Sequence, residues 1–174
     1  MNDLKDIRIR PGTLADADEV ARVVGASWSA AYDGLLVDSA LSGRSLEADA
    51  HQTELLIENG PPGSGVHIAE STGSIVGVSL FGPPDDGRPP GTVGSLYMLY
   101  TVSEAWGTAA GHRLFESTAD AMRRAGLSMM EAEVLDSNER ARNFFERQGM
   151  RSKGSHQQDW FGAPVIVVEY SMVL

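Results

Sequence analysis

The segment SLYMLYTVSEAWGTAAGHRL, residues 95–114, sets the architecture of the chain. Its first half completes a β-branched and aromatic run that predicts a long strand over residues 93–102, and its second half opens a run with helical spacing that predicts a helix over 109–125. Small residues at such a turn let a ligand approach the backbone, and the free N–H groups of a helix's first turn bind anions. The same residues would equally allow close packing of the helix on the sheet, so both interpretations stand at this point.

The next strand and helix carry a second pattern. A strand is predicted over residues 128–135, where period-two alternation puts Glu131 and Glu133 on the face opposite to the apolar residues. Asp136 and Glu139 have the spacing of a capping box, which predicts that a helix begins at this point.

The rest of the chain supplies a strand and two helices before this region and several strands around it. These strands are predicted at residues 7–10, 66–70, 74–81, 151–160 and 165–173, and these helices at 17–31 and 45–58, with a loop over 82–91. The order βααβββαβαββ indicates an α/β (α+β) protein with a mixed sheet that helices flank. The length of 174 residues predicts one domain, spanning residues 1–174.

The composition excludes several kinds of site. The chain has no cysteine, which rules out a disulfide framework, a zinc–thiolate site, an iron–sulfur cluster and a cysteine nucleophile. The four histidines lack the spacing of paired metal ligands, so no metal is expected and each is interpreted as a surface or core residue.

Charge and hydropathy bear on partners and location. With 14 basic and 24 acidic residues the net charge is −10, which argues against nucleic acid or an anionic membrane as the main partner. This balance favours a cationic small substrate, although solubility alone would also explain it. The N-terminal residues lack an apolar leader core, and no apolar stretch approaches the roughly 20 residues of a membrane helix, so a cytoplasmic protein is expected.

Two segments resemble the hallmarks of the GNAT superfamily of N-acetyltransferases. Residues 95–101 followed by 106–114 resemble a strand ending Leu-Tyr-Val and then Gln/Arg-x-x-Gly-x-Gly/Ala at the start of a helix. Residues 138–150, NERARNFFERQGM, resemble Asn-x-x-Ala-x-x-(Phe/Leu)-Tyr-Glu-x-x-Gly-Phe. Residues 28–36 also resemble an acceptor-side segment of this group. The resemblance implies a mostly antiparallel central sheet and a single GNAT-like domain.

The resemblance further implies acetyl-CoA as a co-substrate, without a metal. Backbone groups at the end of the long strand would pair with the pantetheine arm, and the N–H groups of residues 107–112 would hold the pyrophosphate. Asn138 would hydrogen-bond the arm, or else serve only to start its helix. The cofactor-binding residues so implied are Tyr100, Thr101, Val102, Gly107, Thr108, Ala109, Ala110, Gly111, His112, Asn138 and Phe145.

The implied reaction is direct attack of a primary amine on the thioester. We expect Glu133 to accept the amine proton, with Glu131 as second choice; a solvated or salt-bridged glutamate is the alternative. The chain departs from the family pattern in having Trp106 and Ala109 in the loop hallmark. It also has Phe145, which lacks an O–H group, where many members have the tyrosine that protonates the thiolate.

The departures keep other functions open. A catalytically weak or inactive protein of the same fold that binds or senses acyl-CoA is one alternative, and a binding module without CoA is another. The acceptor is expected to be an amine of a small molecule or peptide. The sequence leaves its identity and the oligomeric state open, with a homodimer as one option.

Overall fold

The computed structural model describes residues 6–84 and 91–174. Within these ranges the strands are β1 (Arg8–Pro11), β2 (Gly65–Ser71), β3 (Ser74–Gly82), β4 (Val93–Thr101), β5 (Met129–Leu135), β6 (Arg151–Trp160) and β7 (Ala163–Val173). The helices are α1 (Ala17–Tyr32), α2 (Asp38–Leu41), α3 (Leu46–Asn59), α4 (Ala110–Arg124) and α5 (Glu139–Arg147). Residues 85–90 of the predicted 82–91 loop lie outside the described residues.

The predicted element order is confirmed, with one addition and one correction. The addition is α2, whose four residues are too few to show an apolar period. The correction concerns the start of α5, where Asn138 and not Asp136 is the cap: the Ala141 N–H donates to Asn138 Oδ1 at 3.1 Å. The Asp136 N–H still donates to the Ile166 carbonyl of β7, so the sheet holds this residue out of the helix.

The sheet is antiparallel except at one central pair. Its strand order is β1-β2-β3-β4-β5-β7-β6, and β4 and β5 run parallel. They pair only where Val93–Ser95 meets Met129–Glu131, although β4 continues to Thr101 and β5 to Leu135. The two strands therefore diverge and leave an opening in the middle of the sheet.

A β-bulge in β4 contributes to this divergence. The ladder between β3 and β4 passes from Leu80–Met98 to Phe81–Leu96, which leaves Tyr97 as the extra residue. Bulges bend the strand that carries them and increase its local twist. The bend lies directly after the last β4 residue that pairs with β5.

Helices cover both faces of the sheet. Valines of α1, such as Val20 and Val24, pack on β2 and β3 on one face. On the other face, Phe115 of α4 and Phe145 of α5 pack on β5, whose apolar residues alternate with Glu131 and Glu133 as predicted. Among the described residues, no helix is both long and apolar enough to cross a lipid bilayer.

A buried histidine of strand β2 makes stability sensitive to acid. His67 is 8% exposed, and its Nδ1 has no hydrogen-bond partner in the described part of the chain. Burial, with repulsion from Arg124, lowers the pKa of His67 to about 4. In the unfolded chain a histidine titrates near pH 6.5, so between about pH 6.5 and 4 protons bind to the unfolded state first. The free energy of unfolding therefore decreases as pH falls, and the decrease reaches about 3 kcal/mol below pH 4.

We expect His67→Leu to lose less stability than the wild type between pH 7.5 and 4.5, because leucine removes this titration. Urea unfolding at both pH values measures the difference. His51→Leu is the control, since the His51 side chain is 68% exposed. An equal acid-induced loss in His67→Leu and the wild type would contradict the assignment.

Candidate active site

The opening between β4 and β5 leads to two cavities that meet in the plane of the sheet. One, of about 380 Å³, lies between the end of β4, the start of α4 and α5, and is here called the α4–α5 cavity. The other, of about 1070 Å³, lies between α1, α3 and the β5-β7-β6 strands, and is here called the β6–β7 cavity. Tyr32, Tyr100 and Glu133 are among the residues that line both. A ligand in one cavity can therefore contact a ligand in the other at these side chains.

The turn before α4 forms one wall of the α4–α5 cavity. Gly107 has φ +76°, a left-handed conformation that favours glycine. Thr108 fixes the turn, because its hydroxyl donates to the Ala105 carbonyl at 2.7 Å and accepts from the Ala110 N–H at 3.2 Å. The next two amides, of Gly111 and His112, come too early in the helix to have a carbonyl acceptor within it. The wall thus presents backbone donors at a helix N-terminus, which suits a phosphate group.

The six predicted turn residues do not contribute equally. Gly107, Thr108, Gly111 and His112 line the α4–α5 cavity. Ala110 instead lies fully buried in the core below the turn, and Ala109 is the exposed residue that precedes the helix.

The end of β4 offers a strand edge to the same cavity. Both backbone groups of Val102 are already used, since its N–H donates to Val76 and its carbonyl accepts from Ala105. Strand backbone groups alternate in direction, so Tyr100 also directs its groups towards β3, whereas Thr101 directs its own into the opening. The Trp106 indole N–H, which donates to the Thr101 carbonyl at 3.1 Å, shows this direction. Because that carbonyl already accepts from Trp106, the Thr101 N–H is the backbone group that would pair with an extended ligand, rather than a group of Tyr100 or Val102.

Trp106 also links the two walls of the cavity. The Arg140 guanidinium carbon lies 3.3 Å from the centroid of the Trp106 ring, a cation–π contact between the turn and α5. Burial lowers the pKa of Arg140 from its ordinary value, against the opposing effect of Tyr32. The arginine so placed adds a positive charge beside the helix N-terminus.

The start of α5 forms the opposite wall. Asn138 is 5% exposed, and its side chain caps the helix. Phe145 lines the cavity from within an aromatic cluster, with its ring centroid 5.3 Å from that of Phe144 and 6.3 Å from that of Tyr170. Phe145 therefore offers the cavity an apolar surface and no proton.

The two predicted carboxylates lie on the other side of the opening. Glu131 lines the β6–β7 cavity, whereas Glu133 lines both cavities. Glu133 contacts His156 of β6 (Oε1 to Nε2, 3.6 Å), and the other ring nitrogen of His156 lies 2.8 Å from an oxygen of Glu169 on β7. Glu133 is therefore both at the junction and in contact with a histidine ring.

Sequence reasoning missed His156, Glu169 and the individual role of Tyr32. Tyr32 lies in the segment that resembles the acceptor side of the family, so a signal for it existed. His156 and Glu169 face Glu133 only because β7 lies between β5 and β6. No spacing along the chain indicates this contact. Within residues 6–84 and 91–174, no group of three or more histidine, aspartate or glutamate side chains is arranged so that it could hold a metal ion.

Comparison with known proteins agrees with this geometry. The family model described as "Acetyltransferase (GNAT) family" matches residues 28–150. A search of curated protein sequences gives no significant match.

Several solved structures share the fold over almost the whole chain. A ribosomal-protein-alanine N-acetyltransferase from Brucella melitensis is 22% identical, with a TM-score of 0.75 over 96% of this chain and 99% of that one. A putative acetyltransferase, yncA, from Salmonella typhimurium with its cofactor acetyl-CoA is 18% identical, with a TM-score of 0.72 over 98% and 95%. A PaiA N-acetyltransferase from Thermoplasma acidophilum in complex with coenzyme A is 18% identical, with a TM-score of 0.70 over 94% and 98%. At these identities the likeness establishes the fold.

Proposed function

Because this chain belongs to the acetyltransferase (GNAT) family, we propose that it is an acetyl-CoA-dependent N-acetyltransferase acting on a primary amine of a small molecule or peptide. The observation that carries the proposal is the junction of the two cavities between β4 and β5. One cavity has a helix N-terminus and a free strand edge, and the other has carboxylates. A thioester in the first and an amine in the second would meet at Tyr32, Tyr100 and Glu133.

The residues of the α4–α5 cavity fit acetyl-CoA. The backbone amides of Gly111 and His112 would bind the pyrophosphate, and Arg140 would add charge. Thr101 would pair with the pantetheine arm, as an added strand does. Asn138 and Phe145 would line the path of the thioester towards the junction.

The chemistry proposed is direct attack of the neutral amine on the thioester carbon. Glu133 accepts the proton that the nitrogen loses, directly or through one water. His156 supports this role, because it contacts Glu133 and is itself oriented by Glu169. Glu131, two residues earlier on the same face, is the second candidate for the base.

The β6–β7 cavity favours an amine that carries no carboxylate. Four acidic side chains line it, namely Glu131, Glu133, Asp159 and Glu169. Its arginine, Arg44, is already neutralised by a two-point contact with Asp49. A second negative charge on the acceptor would be repelled by this lining, whereas a cationic amine would be attracted.

A panel of primary amines with acetyl-CoA, read out as free thiol, tests the proposal. We expect thiol release to depend on the amine, and an alkylamine to have a lower KM than the ω-amino acid of equal chain length. Because exposed charges are screened by salt, the difference between the two should shrink as ionic strength rises. If acetyl-CoA binds but no amine of the panel causes thiol release, the result would contradict the proposed enzyme activity and support an acyl-CoA sensor. A thermal shift with acetyl-CoA measures that binding, because a ligand at 100 times its Kd stabilises by about 2.7 kcal/mol.

A further inference from the structure

Four aromatic side chains form one wall of the β6–β7 cavity, here called the aromatic wall. They are Trp28 and Tyr32 of α1, Trp160 at the end of β6, and Phe161 in the turn that follows. The ring centroids of Tyr32 and Trp160 are 5.8 Å apart, and those of Trp28 and Phe161 are 5.7 Å apart. Of the four, Tyr32 is the one that also lines the α4–α5 cavity. The aromatic wall therefore begins at the junction and continues into the β6–β7 cavity as far as Phe161.

The polar atoms of the two tryptophans in this wall already have partners. The Trp28 indole N–H donates to the Leu41 carbonyl at 3.1 Å, and the Trp160 indole N–H donates to Gln158 Oε1 at 2.6 Å. Arg44 lies over the Trp28 ring, with its guanidinium carbon 4.9 Å from the ring centroid. The cation–π position at Trp28 is thus taken by a side chain of the protein. What the wall offers a ligand is the apolar surface of its rings.

The backbone at Phe161 has a conformation that a bulky side chain rarely adopts. Phe161 has φ +55° and lies in the two-residue turn between the paired residues Trp160 and Ala163. The Gly162 N–H donates to Asp159 Oδ1 at 2.8 Å, which helps to hold this turn. Turns with positive φ at both central residues favour asparagine, aspartate or glycine at the first of them. Strain of this kind is common at ligand-binding sites, where the surrounding structure fixes the residue for another purpose.

A second turn of the same kind shows what is particular to Phe161. Thr72, between β2 and β3, has φ +50°, and each of the two residues is followed by a glycine with positive φ. Thr72 is exposed and lies outside the lining of both cavities. The Phe161 ring instead contacts Trp28 edge-on, and a Cβ added to Gly43 would collide with the Phe161 side chain. Phe161 thus connects the β6–β7 turn to α1 and to the segment after α2, at the edge of the cavity.

We propose that Phe161, with the aromatic wall, selects an acceptor amine that carries an aromatic group, that is, an arylalkylamine; the inference rests on the proposed function. The carboxylates of Glu133 and Glu169 attract the ammonium end of such an amine. Its aromatic ring packs against Trp160 and Phe161, where ring pairs add to the free energy gained by burying apolar area. The cavity, at about 1070 Å³, has room for both groups. Phe161 touches the acceptor's ring and none of the reacting atoms, so its role is in specificity.

Steady-state kinetics with 2-phenylethylamine and ethylamine test this inference, because the two amines differ only in the phenyl ring. We expect the wild type to favour 2-phenylethylamine in kcat/KM by at least roughly tenfold, since a single methylene in an apolar pocket is worth about that much. Phe161→Asn should lower this preference by roughly 2- to 10-fold, the range of one aromatic pair. The change should lie in KM for 2-phenylethylamine, with kcat near the wild-type value, because the ring contact is the same in the ground state and the transition state.

Thr72→Asn is the matched control, because it places asparagine at the same position of the equivalent turn, away from both cavities. It should leave the preference at the wild-type value. Asparagine suits both turns, so both variants should remain folded, as thermal unfolding measures. Phe161→Tyr restores an aromatic ring and should retain most of the preference.

The possible outcomes separate this inference from the proposed function. An unchanged preference in Phe161→Asn, or equal kcat/KM for the two amines in the wild type, would overturn the role of Phe161 and leave the acetyltransferase standing. A higher kcat/KM for 1,4-diaminobutane than for 2-phenylethylamine would also overturn it, because the cavity would then favour a second cation over a ring. If no amine causes thiol release, the proposed function fails and this inference fails with it.

Discussion

Glu133→Gln is expected to lower kcat by roughly 10²- to 10⁴-fold, the effect of removing a general base. Glutamine keeps the shape of the side chain at the junction but cannot accept a proton from the amine. The affinity for acetyl-CoA should stay close to that of the wild type, because the backbone amides proposed to bind the pyrophosphate lie on α4. The limb of the pH–rate profile that reports protonation of the base should disappear. Steady-state kinetics over pH and calorimetry with acetyl-CoA measure these effects.

The chain offers a matched control for this variant. Glu54 on α3 is a similarly exposed carboxylate that also contacts a histidine, His51, at 3.7 Å, and it lies outside the lining of both cavities. Glu54→Gln should therefore keep the wild-type rate. A wild-type rate and pH profile in Glu133→Gln would eliminate Glu133 as the base, and Glu131→Gln would then test the second candidate.

Gly111→Val is expected to abolish detectable acetyl-CoA binding. A Cβ at residue 111 would lie 3.3 Å from Phe144 Cε2 and 3.9 Å from Leu99 Cδ2, and both of these residues line the α4–α5 cavity. The branched valine would fill the space between α4 and α5 beside the first-turn amides. Calorimetry with acetyl-CoA measures the loss. Thermal unfolding should show a folded protein, because residue 111 lies in a helix, where glycine is a poorer helix former than valine.

Two further substitutions serve as a milder variant and as a control for Gly111→Val. Gly111→Ala adds only the Cβ, which Phe144 can accommodate by a small shift, so binding should weaken without being lost. Ser117→Val places the same branched side chain on α4 outside the lining of the cavity, and it should bind acetyl-CoA as the wild type does. Equal affinity in Gly111→Val and the wild type would remove this turn from the binding site.

The elements of the fold could be predicted from the sequence because their signals are local. Helical spacing of apolar residues gave α1 and α4 to within about two residues, the usual uncertainty of helix ends. The alternation of apolar and polar residues in β5 predicted which of its two faces is buried. Where two local signals competed, at the start of α5, the capping-box spacing of Asp136 was misleading, because a backbone hydrogen bond to β7 holds that residue in the sheet.

The predicted cofactor residues lie close together in the structure, because the two hallmark segments flank the α4–α5 cavity. The sequence could not rank them. Whether a backbone N–H is free depends on its partner in a neighbouring strand, as with Val102 and Val76. Whether a small residue lines a cavity or lies beneath it depends on packing, as the burial of Ala110 shows.

By itself, then, the sequence determined the order of strands and helices, the turn that presents backbone amides, and the two glutamates on one face of β5. Only the tertiary structure decided which side chains those glutamates meet and which side chains lie at the junction of the two cavities. Tyr32 and Tyr100 are 68 positions apart in the chain, and His156 reaches Glu133 across the intervening strand β7. Such contacts follow from the order in which strands join the sheet. That order is set by burying the faces of the whole sheet, and no short segment of sequence contains it.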